Sequence, residues 1–77
     1  MRLWKVLSSF SVNHPLYYAV QSIDLLEDLI QEITDGDFGE LSFKYMRRGS
    51  KLQLHGFFID KRGKKRRYIK VEEYDNG

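Results

Sequence analysis

After residue 34 the apolar pattern of this chain passes from a helical period to a strand period, and that change sets most of what the chain can fold into. From Ile23 to Thr34 apolar residues return with the 3.6-residue period of a helix, and from Leu41 onward they alternate with the period of two that belongs to strands. Advancing ~100° per residue from Ile23, the residues Leu25, Leu26, Leu29, Ile30 and Ile33 share an arc of about 160°, and Asp24, Glu27, Asp28, Gln31 and Glu32 fill the remainder. Ser22 is expected to cap the helix, with Asp24 in the first turn near the positive end of the helix dipole. Asp35-Gly36-Asp37-Phe38-Gly39 is expected to end it.

Three alternating segments follow. Leu41, Phe43 and Tyr45 share one face of the first, Leu52, Leu54 and Phe58 of the second, and Ile69 and Val71 of the third. Arg48-Gly49-Ser50 and Lys61-Arg62-Gly63-Lys64 are the expected hairpin tips between them. Before the helix, Trp4, Val6, Phe10 and Val12 fall on one parity, Asn13-His14-Pro15 reads as a turn, and Leu16-Tyr17-Tyr18-Ala19-Val20 suits a short returning strand. The expected fold is α+β: one antiparallel sheet in the order β-β-α-β-β-β, with one amphipathic helix packed on one face. Residues 1–77 make a single domain, and 72–77 are polar enough to fray.

A chain of 77 residues that is 14% aromatic has the composition of a folded domain with room for one small core. The absence of cysteine excludes a disulfide framework, a thiol nucleophile and a Cys-type zinc site, and favours a reducing, cytoplasmic setting. The apolar runs are only a few residues long, so no membrane association is expected. No cofactor is implied.

Charge is sorted along the chain. Between Ser22 and Glu40 there are seven acidic residues (Asp24, Glu27, Asp28, Glu32, Asp35, Asp37, Glu40) and no base. From Lys44 to Lys70 there are eleven bases against Asp60 alone, so the net charge of +2 conceals two surfaces of opposite sign.

Strand alternation sends Lys44, Met46, Gln53, His55, Phe57, Arg66, Tyr68 and Lys70 to the side of the sheet away from the helix. Rings mixed with cations suit nucleic acid, whose bases stack on aromatic side chains while Lys and Arg neutralise phosphates. Both hairpin tips are expected to add charge at one end of the sheet. The expected nucleic-acid contacts are therefore Lys44, Arg47, Arg48, Phe57, Lys61, Arg62, Lys64, Lys65, Arg66, Tyr68 and Lys70. In outline this face resembles that of an RNA-recognition motif, although His55-Gly56-Phe57-Phe58-Ile59 departs from that family's aromatic signature and a second helix is lacking. Charged tips and edges also keep sheets soluble, which is the plainer account of the same residues.

The alternative expectation is a small inhibitor or adaptor that docks on a host protein complex. Asp24, Glu27, Asp28 and Glu32 could imitate spaced phosphates, and Tyr17, Tyr18 and Trp4, if exposed, could anchor a protein interface. In size and composition the chain is similar to small phage-encoded inhibitors, anti-CRISPR proteins among them, an analogy of class that no motif carries. A homodimer in which helix and hairpins meet by opposite charge is a further expectation.

Enzyme chemistry finds little support. His14 sits beside Pro15, His55 has no carboxylate at a telling spacing, and the serines lack a nucleophile-elbow context. Asp35-Gly36-Asp37-Phe38-Gly39-Glu40 departs from the twelve-residue calcium loop in length and ligand order. No catalytic or metal-ligating residue is assigned.

Overall fold

Ser22 caps the helix as its residue type dictates: its Oγ accepts a hydrogen bond from the Leu25 N–H at 3.3 Å. In the computed structural model, which describes residues 2–10, 16–34 and 36–74, this helix is α1 (Ile23–Ile33). It lies in chain order among β1 (Arg2–Ser9), β2 (Tyr17–Val20), β3 (Ser42–Arg48), β4 (Lys51–Ile59) and β5 (Lys65–Tyr74). The expected turn at Asn13-His14-Pro15, Val12, Asp35 and residues 75–77 fall outside the described residues.

The five strands form one antiparallel sheet in the spatial order β2-β1-β5-β4-β3. β4 runs between β3 and β5, so the β3–β4 and β4–β5 connections sit at opposite ends of it. The nine residues of β4 hold the two basic tips about 26 Å apart at ~3.3 Å per residue. This corrects the expectation that both tips load one end of the sheet. β5 also continues through Glu72 and Glu73 to Tyr74, opposite Lys5, Trp4 and Leu3, and so orders part of the segment expected to fray.

The helix buries Leu26 and Ile30 completely, in one cluster with Trp4, Tyr18, Leu41, Leu54, Phe58, Tyr68, Ile69 and Val71. Leu25, on the flank of the apolar arc, stays 47% exposed. Gln31 is predicted to face solvent, yet it clamps the helix end to the chain entering β3. Its amide Nε2 donates to the Gly39 carbonyl at 2.8 Å, and its Oε1 accepts from the Leu41 N–H at 2.7 Å. Phe38 then folds back, stacked on Phe58 with centroids 4.2 Å apart and 5.3 Å from the ring of Phe10.

Two bulges shape the sheet. Leu7 is the extra residue of β1 and Tyr68 that of β5, where Gly56 pairs with Ile69 but Phe57 pairs with Arg67. Gly56 lies under the Phe43 ring, and a Cβ there would sit 3.3 Å from Phe43 Cε1 and from Ile69 Cγ2. The glycine thus lets an edge-strand aromatic close over the core.

Candidate nucleic-acid interface

Cross-strand partners share a face, so the register says which residues stand away from α1. With Leu54, Phe58 and Val71 in the core, the opposite face carries Met46, Gln53, Glu72 and Lys5 in one row, Lys44, His55, Lys70 and Ser8 in the next, and Ser42, Phe57 and Arg67 in a third. Among the described residues no helix covers this face. Lys65, opposite Ile59, closes one end with its Nζ 4.7 Å from the centroid of the Phe57 ring.

His55 is the centre of the patch. Its Cα lies between those of Lys44 on β3 and Lys70 on β5, and its ring stacks near Phe57 with centroids 6.2 Å apart and planes 25° apart. Glu72 Oε2 accepts a hydrogen bond from Gln53 Nε2 at 2.7 Å, which turns the Gln53 carbonyl toward His55 Nε2 at 3.2 Å. A carbonyl oxygen only accepts, so Nε2 is the protonated nitrogen of the neutral ring. Burial under its neighbours, with Arg67, Lys70 and Lys44 adding charge repulsion, lowers the pKa of His55. The register places Lys44 and Lys70 on either side of the ring and Arg67 opposite Phe57. Among the described residues, Lys44, Arg67 and Lys70 have no carboxylate partner. Among the described residues the one acid on the face is Glu72, whose Oε1 lies 3.8 Å from Lys51 Nζ.

Of the expected contacts, Lys44, Phe57, Lys65 and Lys70 stand on this face, and Arg48 pairs with Lys51 at its β3–β4 end. Two do not. The Tyr68 bulge reverses the parity beyond it, so Arg66 pairs with Phe58 on the helix side and Tyr68, 2% exposed, lies 5.6 Å from the Phe38 ring. Arg67 takes the outward place the sequence assigned to its neighbours. A signal for this was present: Lys64-Lys65-Arg66-Arg67 holds no apolar residue to fix a parity, and the adjacent Tyr68 and Ile69 interrupt the alternation. Arg47, opposite Leu52, also projects to the helix side.

The β4–β5 tip is held from within by Asp60. Its Oδ1 accepts from the backbone N–H of Lys64 at 2.8 Å and of Arg62 at 2.9 Å, and its Oδ2 from Arg66 Nε at 2.8 Å. The Lys64 N–H leads in holding the Asp60 carboxyl below the usual carboxylate range, with Arg66 and the Arg62 N–H adding to it. Gly63, at φ 79°, closes the turn in a conformation that side chains rarely adopt. Lys61, Arg62 and Lys64 are thereby fixed as an exposed basic tip.

The acidic set lies on the other side of the molecule. Asp24, Asp28 and Glu32 are exposed on α1, and Glu27 is partly buried there. Burial, then Asp24 and Asp28, raises the Glu27 carboxyl. Tyr17 is 43% exposed, but Tyr18 and Trp4, at 3% and 1%, belong to the core and are not surface anchors. The Tyr18 hydroxyl and Trp4 Nε1 are buried with no hydrogen-bond partner among the described residues. Tyr17 instead meets Tyr74, 5.5 Å between ring centroids, a pairing the sequence did not suggest because Tyr74 fell in the expected tail.

No group of three or more metal-ligating side chains occurs among the described residues, and no helix there is long and apolar enough to cross a membrane. In comparison with known proteins, no family model, no curated protein and no solved structure matches the chain, so its role must be argued from the site itself.

Proposed function

We propose that this chain is a non-catalytic nucleic-acid-binding domain whose contact surface is the uncovered face of the sheet. The observation that carries the reading is the crowding of Lys44, Arg67 and Lys70 around His55 without a carboxylate partner among the described residues. A polyanion laid on this face would neutralise these cations while releasing its own counterions. The Phe57 ring, partly open and backed by the buried His55, supplies what phosphate contacts alone lack, a surface for bases. Lys61, Arg62 and Lys64 at one end, with Arg48 at the other, extend the positive track.

The test is fluorescence anisotropy with labelled single- and double-stranded DNA and RNA across a salt series. The reading expects binding that weakens steeply with salt and a loss of at least tenfold in the variant Lys44→Ala/Arg67→Ala/Lys70→Ala. Absence of binding to every probe at low salt overturns it.

A second reading is favoured by the opposite surface. Asp24 and Asp28 stand near enough to Glu27 to raise its carboxyl after burial does, and Glu32 is exposed on the same helix, a set of acids suited to the basic groove of a host nucleic-acid enzyme. In that role the chain would be a small phage-type inhibitor acting by occlusion. Competition with nucleic acid for such an enzyme, abolished by Asp24→Asn/Asp28→Asn/Glu32→Gln, is its test.

A further inference from the structure

The uncovered face carries aromatic pairs at two places. At the β4–β5 end Phe57 stacks near His55, and toward the other end Tyr17 meets Tyr74 edge-on at 72° between ring planes. Tyr17 belongs to the same face because it pairs with Lys5, whose other neighbour is Glu72, and Tyr74 follows Glu72 by two residues on β5. Both tyrosines are open, at 43% and 37%. From Arg67, the partner of Phe57, to Tyr74 is about 20 Å along β5 at ~3.3 Å per residue, allowing for the bulge residue. Lys70, Lys5 and Glu72 lie between the two pairs, with Lys51 3.8 Å from the Glu72 carboxylate.

Two ring stations with Lys70 and Lys5 between them do not suit a duplex, whose bases stack on one another inside the helix and show only their edges in the grooves. They do suit an unpaired strand laid diagonally from β4 across β5 toward β1 and β2. At about 3.4 Å per stacked nucleotide the separation corresponds to about six nucleotides. Resting on the nucleic-acid reading above, we infer that the ligand is single-stranded and occupies both stations, with Tyr17 and Tyr74 as the second base-stacking site. The pair then acts as a gauge of strand length: an oligomer too short to span the face meets one station only.

The experiment compares a 12-nucleotide single strand, a 3-nucleotide strand and a 12-base-pair duplex at one salt concentration. The expected result is at least tenfold tighter binding of the 12-nucleotide strand than of the duplex. Tyr17→Ala/Tyr74→Ala should lose at least tenfold toward the 12-nucleotide strand and little toward the duplex, whereas Tyr17→Phe/Tyr74→Phe, which keeps the rings, should retain affinity. Should the alanine variant fail to fold, ring-proton shifts of Tyr17 and Tyr74 in the wild-type protein on addition of the 12-nucleotide strand give the same answer. Equal affinity for duplex and single strand, or tyrosine rings that do not respond, overturns the inference while leaving the nucleic-acid reading in place. Absence of binding to all three probes removes both.

Discussion

Lys65 carries its ammonium 4.7 Å from the centre of the Phe57 ring, at the end of the sheet face opposite α1. The contact keeps a cation and a stacking surface together before any ligand arrives. Phe57→Ala should therefore weaken single-strand binding by about tenfold or more, since one base stacked on an aromatic ring is worth ~1–3 kcal/mol. Lys65→Gln should cost less and act mainly through the salt dependence. Titrations of both variants at two salt concentrations separate the contributions, and an unaffected Phe57→Ala would remove stacking from the account.

Counterion release gives the cations a signature of their own. If Lys44, Arg67 and Lys70 each touch one phosphate, replacing all three by Ala should reduce the slope of log K against log salt by about two units, at ~0.7 per single-strand contact. The same measurement on Lys61→Ala/Arg62→Ala/Lys64→Ala asks whether the tip is engaged as well. A slope unchanged in both variants would place the binding surface elsewhere.

The pH dependence of stability follows from His55. Its pKa is lowered in the folded state by burial first and then by Arg67, Lys70 and Lys44. Between the unfolded value of ~6.5 and the lower folded value, the unfolded chain takes up a proton that the folded one refuses. Stability is therefore complete above pH ~6.5 and falls as pH drops through that window. Urea unfolding at pH 7.5 and 5.5 should show this loss in the wild-type protein and a smaller one in His55→Gln. A bound polyanion should raise the same pKa, visible as a shift of the His55 ring titration by NMR.

Tyr18 behaves in the opposite sense. Its buried hydroxyl, with no hydrogen-bond partner among the described residues, is pushed up to about 12 by burial and by Tyr68. The folded state therefore keeps a proton that the unfolded chain loses above pH ~10, and stability falls as pH rises beyond that point. Tyr18→Phe should gain about 1 kcal/mol at neutral pH, since it removes an unsatisfied polar group, and should flatten the alkaline loss. Denaturant midpoints at pH 7 and 10.5 check both.

The helix is the element the domain can least spare. Leu26→Ala empties a fully buried position and should cost about 3 kcal/mol. In a domain this small that is a large share of total stability, so the variant should be partly unfolded near 37 °C by circular dichroism.

The helix and the strand-forming segments were legible because each carries an unbroken period. Ser22, Leu26, Ile30, Leu54, Ile69 and Val71 take the places their spacing assigns. What escaped depended on single inserted residues or on distant contacts. The bulge at Tyr68 moved one ring into the core and turned Arg67 outward, although the four bases before it offer no apolar marker of parity. Gln31 became a clamp through partners eight and ten residues ahead, and Tyr74 met Tyr17 only because β1 brings β2 and β5 to its two sides. Strand alternation put Lys44, His55 and Lys70 on one face; the burial of His55 there, which lowers its pKa ahead of the neighbouring cations, has no mark in the sequence.

The placement of the carboxylates of α1 on one side and the cations of the sheet on the other has a practical consequence at the bench. A net charge of +2 suggests a weak ligand of any ion-exchange resin, but a resin bead meets one side of a molecule at a time. At low salt this chain should be retained by cation and anion exchangers alike, in opposite orientations. A copurifying polyanion would occupy the sheet and leave the helix exposed, so free and loaded protein should leave an anion exchanger at different salt concentrations.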